Sequence, residues 1–155
     1  MGAPRSTAYS QGCVAVLGTG AALPGEALDN DSLIERIAAL APELDTRALR
    51  MLMQRLAIDR RHVSRAFLKP TEAPLPGARN PQLAALALSR ALAQAQLEPG
   101  QLGYLIGHTA TPAQPLPSNI ALTADLIGYP GPHVELRQAC TGFANALLIA
   151  FGMLA

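Results

Sequence analysis

Cys140 is the residue whose setting in the sequence best fits covalent chemistry. Just before it, Val134 and Leu136 alternate with charged residues, which predicts a short strand with one buried face. After Phe143 the sequence is apolar almost without interruption, which predicts a helix buried on every side. A turn residue between such elements lies at the helix N-terminus, where free N–H groups stabilise a thiolate and favour a nucleophile. The alternative is a small core residue, because free cysteines are commonly buried and inert.

Composition excludes several other classes of function. The 155 residues are 50% hydrophobic and 15% charged, with a formal net charge of +1, which predicts a globular chain or part of one. No basic block attracts nucleic acid or an anionic membrane surface. The N-terminus lacks the apolar core of a signal peptide, and no apolar run reaches the roughly 18 residues that span a bilayer. We therefore expect neither nucleic acid nor membrane as a partner.

The two cysteines, Cys13 and Cys140, indicate a reducing compartment. They form neither a disulfide framework nor a metal-ligand pattern, so we expect a cytoplasmic protein with no metal and no cofactor. Cys13 begins the apolar run 13–17 and is expected to be a core residue of a strand there, rather than to form a disulfide with Cys140.

The elements that must position Cys140 alternate between helices and apolar strands. Ser32 fits a capping box for a helix that Pro42 stops, and Asn80 and Pro81 open a long helix. Leu83, Leu86 and Arg90 mark one line of that helix. Further predicted elements are a helix over 46–56, a strand over 102–107 and a helix from Ser118 to Ile127.

This order predicts an α/β fold with a mainly parallel sheet. Residues 1–11 are expected to form a loose, flexible tail. Ligands of such folds gather at the carboxyl ends of the strands, which is where Cys140 lies. The fold class therefore favours a functional thiol.

Four stretches of the chain together carry a resemblance to a known family. The most specific is Gln138-Ala139-Cys140-Thr141-Gly142-Phe143, around the candidate nucleophile. The others are Gly18-Thr19-Gly20 through Leu23-Pro24, Ala57-Ile58-Asp59-Arg60-Arg61, and Leu86 through Thr111-Pro112 with Pro117-Ser118. In this order they resemble the thiolase-fold ketosynthases, and among them β-ketoacyl-acyl-carrier-protein synthase III. The resemblance implies a thiolase-like fold, with residues 12–155 forming its N-terminal half-domain and the C-terminal half absent.

The resemblance also implies an acyltransferase activity. Cys140 would take an acyl group from an acyl-CoA or acyl-carrier-protein thioester, and its own backbone N–H would help to hold the oxyanion. Condensation with a malonyl thioester, in fatty acid or polyketide synthesis, would follow with a His and an Asn from the C-terminal half. His62, His108 and His133 are not expected to replace them. Each is expected to be a solvated or hydrogen-bonded structural residue.

Two departures from the family concern the substrate. Relatives stack the CoA adenine between a Trp and an Arg. Arg55 falls where that Arg would be, but the chain has no Trp, and Met51 lies near the position that the Trp would take. Leu116 takes the position of a Phe that reaches into the acyl pocket of the partner subunit. The smaller side chain favours an acyl chain longer than acetyl, whereas the alternative is a loop residue packed under the prolines.

Two other functions remain open from the sequence. A non-catalytic or split partner subunit would dock on a related ketosynthase, as a homodimer or heterodimer, and cover the apolar last helix. A thiolase-type acyl-CoA acetyltransferase shares the fold and the cysteine. The Arg-Arg turn and the Pro117-Ser118 helix start favour synthase III over that acetyltransferase.

Overall fold

A computed structural model of the chain describes residues 14–64, 77 and 79–154. The chain divides into two compact units, a smaller one over Ala22–Leu83 and a larger one whose described residues are 14–21 and 84–154. The predictions of a tail over 1–11 and of Cys13 as a core residue lie outside the described residues.

The smaller unit consists of two helices and a pair of short strands. Its elements are β1 (Ala27–Asp29), α1 (Asn30–Leu40), α2 (Thr46–Leu56) and β2 (Arg60–His62). The strands are antiparallel, with Asp29 paired to Arg60. The helices pack through a core of buried apolar side chains: Leu33, Ile34 and Met53.

Aspartates begin both helices of the smaller unit. The Asp29 side chain accepts a hydrogen bond from the Ser32 N–H at 2.8 Å, and the Asp45 side chain accepts from the N–H groups of Arg47 and Ala48. The prediction of Ser32 as the cap of α1 is therefore wrong by three residues. Asp29 leaves β1 with an extended backbone and already offers the N-cap acceptor, so the helix starts there.

The larger unit holds the parallel part of the fold. After α3 (Asn80–Ala95) and a short 3₁₀ turn over Pro99–Gln101 come β3 (Leu105–His108), α4 (Asn119–Leu126), β4 (His133–Leu136) and α5 (Gly142–Leu154). The strands β3 and β4 are parallel, and α4 packs on them through a core of Leu105, Ile120, Ala124 and Tyr129. This confirms the predicted α/β class and the helix start at Ser118, which accepts from the Ala121 N–H.

The predicted strand over 13–17 is wrong for its described residues, 14–17. They have no strand partner, and Val16 is 80% exposed. The following Gly18 and Gly20 lie so close to α3 that a Cβ on either would collide with a carbonyl oxygen of that helix. The Thr19 N–H also donates to Gln94 Oε1 of α3 at 2.6 Å. This segment therefore packs along a helix instead of joining a sheet.

In α3 the buried positions include Ala85 and Leu92, whereas Leu86, on the line of Leu83, Leu86 and Arg90 marked from the sequence, is 45% exposed. In α5 the predicted burial on every side is wrong for the chain alone, because the helix packs against β3 but many of its apolar side chains are exposed. Its exposed apolar residues are Phe143, Leu147, Leu148, Ile149, Phe151, Met153 and Leu154. No helix in the described part has the length and apolar character needed to cross a membrane.

Candidate active site

Cys140 lies in the turn that links β4 to α5. The strand ends at Leu136 and the helix begins at Gly142. The Gly142 N–H donates to the Ala139 carbonyl at 3.1 Å, and the Asn145 N–H donates to the Thr141 carbonyl at 3.0 Å. The thiol of Cys140 is free and exposed. The residue therefore stands immediately before the first turn of α5, as the strand–turn–helix pattern predicts.

The chain before Cys140 is held by side chains from several elements. Glu135, whose side chain is only 6% exposed, accepts from the Ile120 N–H and from Arg137 Nε, each at 2.8 Å. Arg137 also donates to the Pro115 carbonyl, and Asn145 Nδ2 donates to Gln138 Oε1 at 2.7 Å. These bonds connect the end of β4 to the start of α4, to the Pro-rich loop and to α5.

The role of Glu135 differs from the one that the sequence predicts. The alternation of Val134 and Leu136 with charged residues predicts that Glu135 faces solvent. Its carboxylate instead accepts the Ile120 N–H in the first turn of α4, where orphan donors and the helix dipole favour an anion. The sequence signal that could have indicated this contact is the predicted helix start at Ser118, because the free N–H groups of a helix start favour a carboxylate at the end of a neighbouring strand.

His108 contacts the turn from the neighbouring strand. It pairs with Leu136 in the parallel register, so the ends of β3 and β4 lie side by side. Its Nε2 lies 2.9 Å from the Gln138 carbonyl oxygen and 3.1 Å from that of Ala139. The imidazole also covers Gly142, where a Cβ would collide with the ring. The sequence predicts a structural histidine here and not its contact with the turn, although its position at the end of a strand, directly before the Pro-rich loop, is a signal that could have indicated the contact.

The other two histidines also bond to backbone carbonyls. His62 Nδ1 lies 2.9 Å from the Pro24 carbonyl oxygen and 3.1 Å from that of Gly25, within the smaller unit. His133 Nδ1 lies 3.3 Å from the Gly131 carbonyl oxygen at the start of β4. Both are hydrogen-bonded, as expected for structural histidines.

Of the residues expected to concern substrate, Met51 and Arg55 belong to the smaller unit and Leu116 belongs to the larger one. Met51 and Arg55 share one face of α2, where they line a shallow pocket of about 210 Å³ with Ala48 and Leu52. Arg61 donates to Asn30 Oδ1 at 2.8 Å and to the Ile58 carbonyl at 3.3 Å, so it holds the turn before β2. Leu116 is 82% exposed, so the alternative in which it packs under the prolines is wrong.

Comparisons with known proteins connect this geometry to condensing enzymes. A tetronic acid condensing enzyme matches with a TM-score of 0.71 and 26% identity, over 90% of this chain and 40% of its own. The 3-oxoacyl-acyl-carrier-protein synthase III of Aquifex aeolicus matches with a TM-score of 0.64 and 27% identity, over 89% of this chain and 39% of its own. A variant of OleA from Xanthomonas campestris, at 19% identity and a TM-score of 0.69, shares the fold.

These matches confirm the thiolase-like α/β fold and the resemblance to synthase III-like ketosynthases. The chain spans about 40% of the length of the solved structures it matches. That share agrees with the resemblance to an N-terminal half. No protein-family model matches the chain.

Proposed function

We propose that this chain carries the acyl-accepting part of a synthase III-type condensing enzyme, with Cys140 as its nucleophile. The observation that carries the proposal is the exposed, free thiol of Cys140 at the carboxyl end of β4, directly before α5. The similarity to a synthase III and to a tetronic acid condensing enzyme supports it. Exposure makes the inert core cysteine a poorer account of this residue.

The proposed reaction is a transfer of an acyl group between two sulfur atoms. The Cys140 thiolate attacks the carbonyl carbon of an acyl thioester, a new sulfur–carbon bond forms, and the carbonyl oxygen becomes an oxyanion. Backbone N–H groups at the start of α5, that of Cys140 among them, are the donors for this oxyanion. Collapse then breaks the original sulfur–carbon bond, and the departing thiolate takes up a proton from water.

The later step belongs to the proposal for the whole protein. Condensation of the acyl group with a malonyl thioester, in fatty acid or polyketide synthesis, would use the His and Asn that the family provides outside the matched residues. The donor thioester would be an acyl-CoA or an acyl carrier protein.

Acyl transfer to the 155-residue chain tests the proposal directly. We expect intact-mass spectrometry to show one added acyl group after incubation with hexanoyl-CoA, and none in Cys140→Ala. Cys13→Ala is the matched control, because it removes the other thiol and should leave the acylation unchanged. Acylation of Cys140→Ala to the same extent as the wild type would remove Cys140 from the mechanism.

The exposed face of α5 favours a second candidate function, that of a partner subunit. Its side chains, such as Phe143 at 67% exposure and Leu154 at 68%, form an apolar surface that a related synthase would cover, in a homodimer or heterodimer. This candidate predicts a chain that associates in solution and takes up no acyl group. A monodisperse monomer that is acylated at Cys140 would contradict it.

A further inference from the structure

Two consecutive carbonyl groups before Cys140 meet one nitrogen of His108. The distances of 2.9 Å to the Gln138 oxygen and 3.1 Å to the Ala139 oxygen are those of a shared hydrogen bond. Carbonyl oxygens only accept, so His108 Nε2 must carry the proton and donate it to both. The Ala139 carbonyl also accepts from the Gly142 N–H at 3.1 Å, which uses its second lone pair. The peptide between Ala139 and Cys140 is therefore held from two sides.

The orientation of that peptide decides where the Cys140 N–H points. The Ala139 C=O and the Cys140 N–H belong to one planar trans unit, so the two bonds point in opposite directions. Fixing the carbonyl on the imidazole therefore turns the N–H away from His108. A hydrogen bond to the carbonyl also polarises the amide and makes its N–H a stronger donor.

Packing reinforces this orientation. The imidazole lies flush against Gly142, and a Cβ at that position would collide with the ring. His108 itself is placed by β3, whose parallel pairing with β4 sets the ring beside the turn. A rigid strand end thus supports the irregular backbone that carries the nucleophile.

We infer that His108 is a positioning residue for acyl transfer: its Nε2–H, donated to Gln138 and Ala139, aims the Cys140 N–H at the thioester oxyanion. The inference rests on the proposed function, because it gives His108 a role only if Cys140 accepts an acyl group. His108 touches no reacting atom. It acts through the backbone of the turn.

Two reactions of the same thiol separate this role from a merely structural one. Transfer from hexanoyl-CoA develops an oxyanion and needs the N–H donor, whereas alkylation by iodoacetamide displaces iodide and develops none. In a Cys13→Ala background, we expect His108→Ala to slow acylation of Cys140 about tenfold. Alkylation should stay within about twofold of the starting rate, because the thiol itself is unchanged. Circular dichroism of each variant checks that the fold is intact.

Rescue by a conservative variant completes the test. His108→Gln places an amide N–H₂ near the position of Nε2 and should restore most of the acylation rate, whereas His108→Phe keeps the ring but not the donor and should not. His133→Ala is the matched control, a histidine at the start of the paired strand whose Nδ1 meets the Gly131 carbonyl and not the turn around Cys140. It should change neither rate.

The outcomes separate the two proposals. If the starting chain is acylated but His108→Ala acylates at the same rate, the inference about His108 is overturned and the proposed function stands. Equal slowing of acylation and alkylation would also overturn it, because a turn that is merely loosened is expected to slow both reactions of the thiol alike. If the starting chain takes up no acyl group at Cys140 while iodoacetamide still labels it, the proposed function itself fails.

Discussion

The two units each contain a histidine that holds two consecutive carbonyl groups, and the two contacts have the same lengths. His62 meets the carbonyls of Pro24 and Gly25, and His108 meets those of Gln138 and Ala139, at 2.9 and 3.1 Å in each case. Both histidines lie at the end of a strand, and both fix an irregular segment just before or after another element. His62 bonds through Nδ1 and His108 through Nε2, but the lengths of the contacts do not distinguish them.

The residues that follow the held carbonyls differ. After Gly25 the chain enters β1, a strand whose partner is β2. After Ala139 it reaches an exposed thiol and the first turn of a helix. The same contact therefore secures a strand pairing in the smaller unit and a candidate nucleophile in the larger one. The effect of a histidine that bonds to backbone carbonyls therefore depends on the residues that follow those carbonyls.

Among the substitutions that test this comparison, one at Gly142 is expected to have the largest effect on acylation. Gly142→Ala places a Cβ where the His108 ring lies, so the ring must leave or the turn must shift. We expect the rate of Cys140 acylation by hexanoyl-CoA to fall about a hundredfold, the scale of a misplacement near the reacting atoms. Quenched-flow or manual sampling with intact-mass detection measures that rate.

Gly152→Ala is the control for the same helix, since among the described residues a Cβ there would meet no atom within 4 Å beyond the adjoining backbone of α5 itself. It should leave the acylation rate unchanged. The effects of Gly142→Ala and His108→Ala on the acylation rate should also be non-additive, because both substitutions remove the same contact between the His108 ring and the turn. Fully additive losses would show that Gly142 and His108 act separately on acylation, which would contradict the role given to His108 in the larger unit.

The His62 contact is expected to have a smaller effect, on stability alone. Removing its hydrogen bonds in His62→Ala should lower the free energy of unfolding by about 1 kcal/mol, a typical net value for such a bond. Urea denaturation followed by circular dichroism measures the change. The rate of Cys140 acylation in the folded protein should not change. A loss of acylation as large as that of His108→Ala would mean that the two contacts are equivalent after all.

Local patterns in the sequence predict the position of Cys140 but not the contacts that support it. The alternating strand, the apolar helix and the motif around Cys140 are short-range signals, and they predicted both the elements and the position of the thiol. The contact from His108 joins residues 30 positions apart. It depends on the pairing of β3 with β4, which periodicity within either strand does not encode.

The errors in the fold have the same origin. Residues 14–17 are apolar enough for a strand, but a strand also needs a hydrogen-bonded neighbour, and here the glycines that follow bring the chain onto α3. The burial of α5 was predicted from its composition, which is uniform around the helix. Which of its faces is covered depends on the elements that pack against it, and here α5 packs against β3 and leaves many of its apolar side chains exposed.

The smallest expected effect concerns the N-cap of α1 in the smaller unit and its response to acid. The Ser32 N–H, which donates to the Asp29 carboxylate, lowers the pKa of that group below its ordinary 3.8. A lowered pKa means that the charged form stabilises the folded state above pH 3.8, and that this contribution disappears as the pH falls through the folded pKa.

Asp29→Asn keeps a cap acceptor that does not titrate, and Asn caps about as well as Asp. Urea denaturation of both proteins should therefore give similar midpoints at about pH 6, with the wild type losing slightly more stability than the variant on going to about pH 2. An identical loss in both would place the acid sensitivity in other carboxylates. Since Asp29 is fully exposed, the difference should be small, and it should leave the acylation of Cys140 at neutral pH untouched.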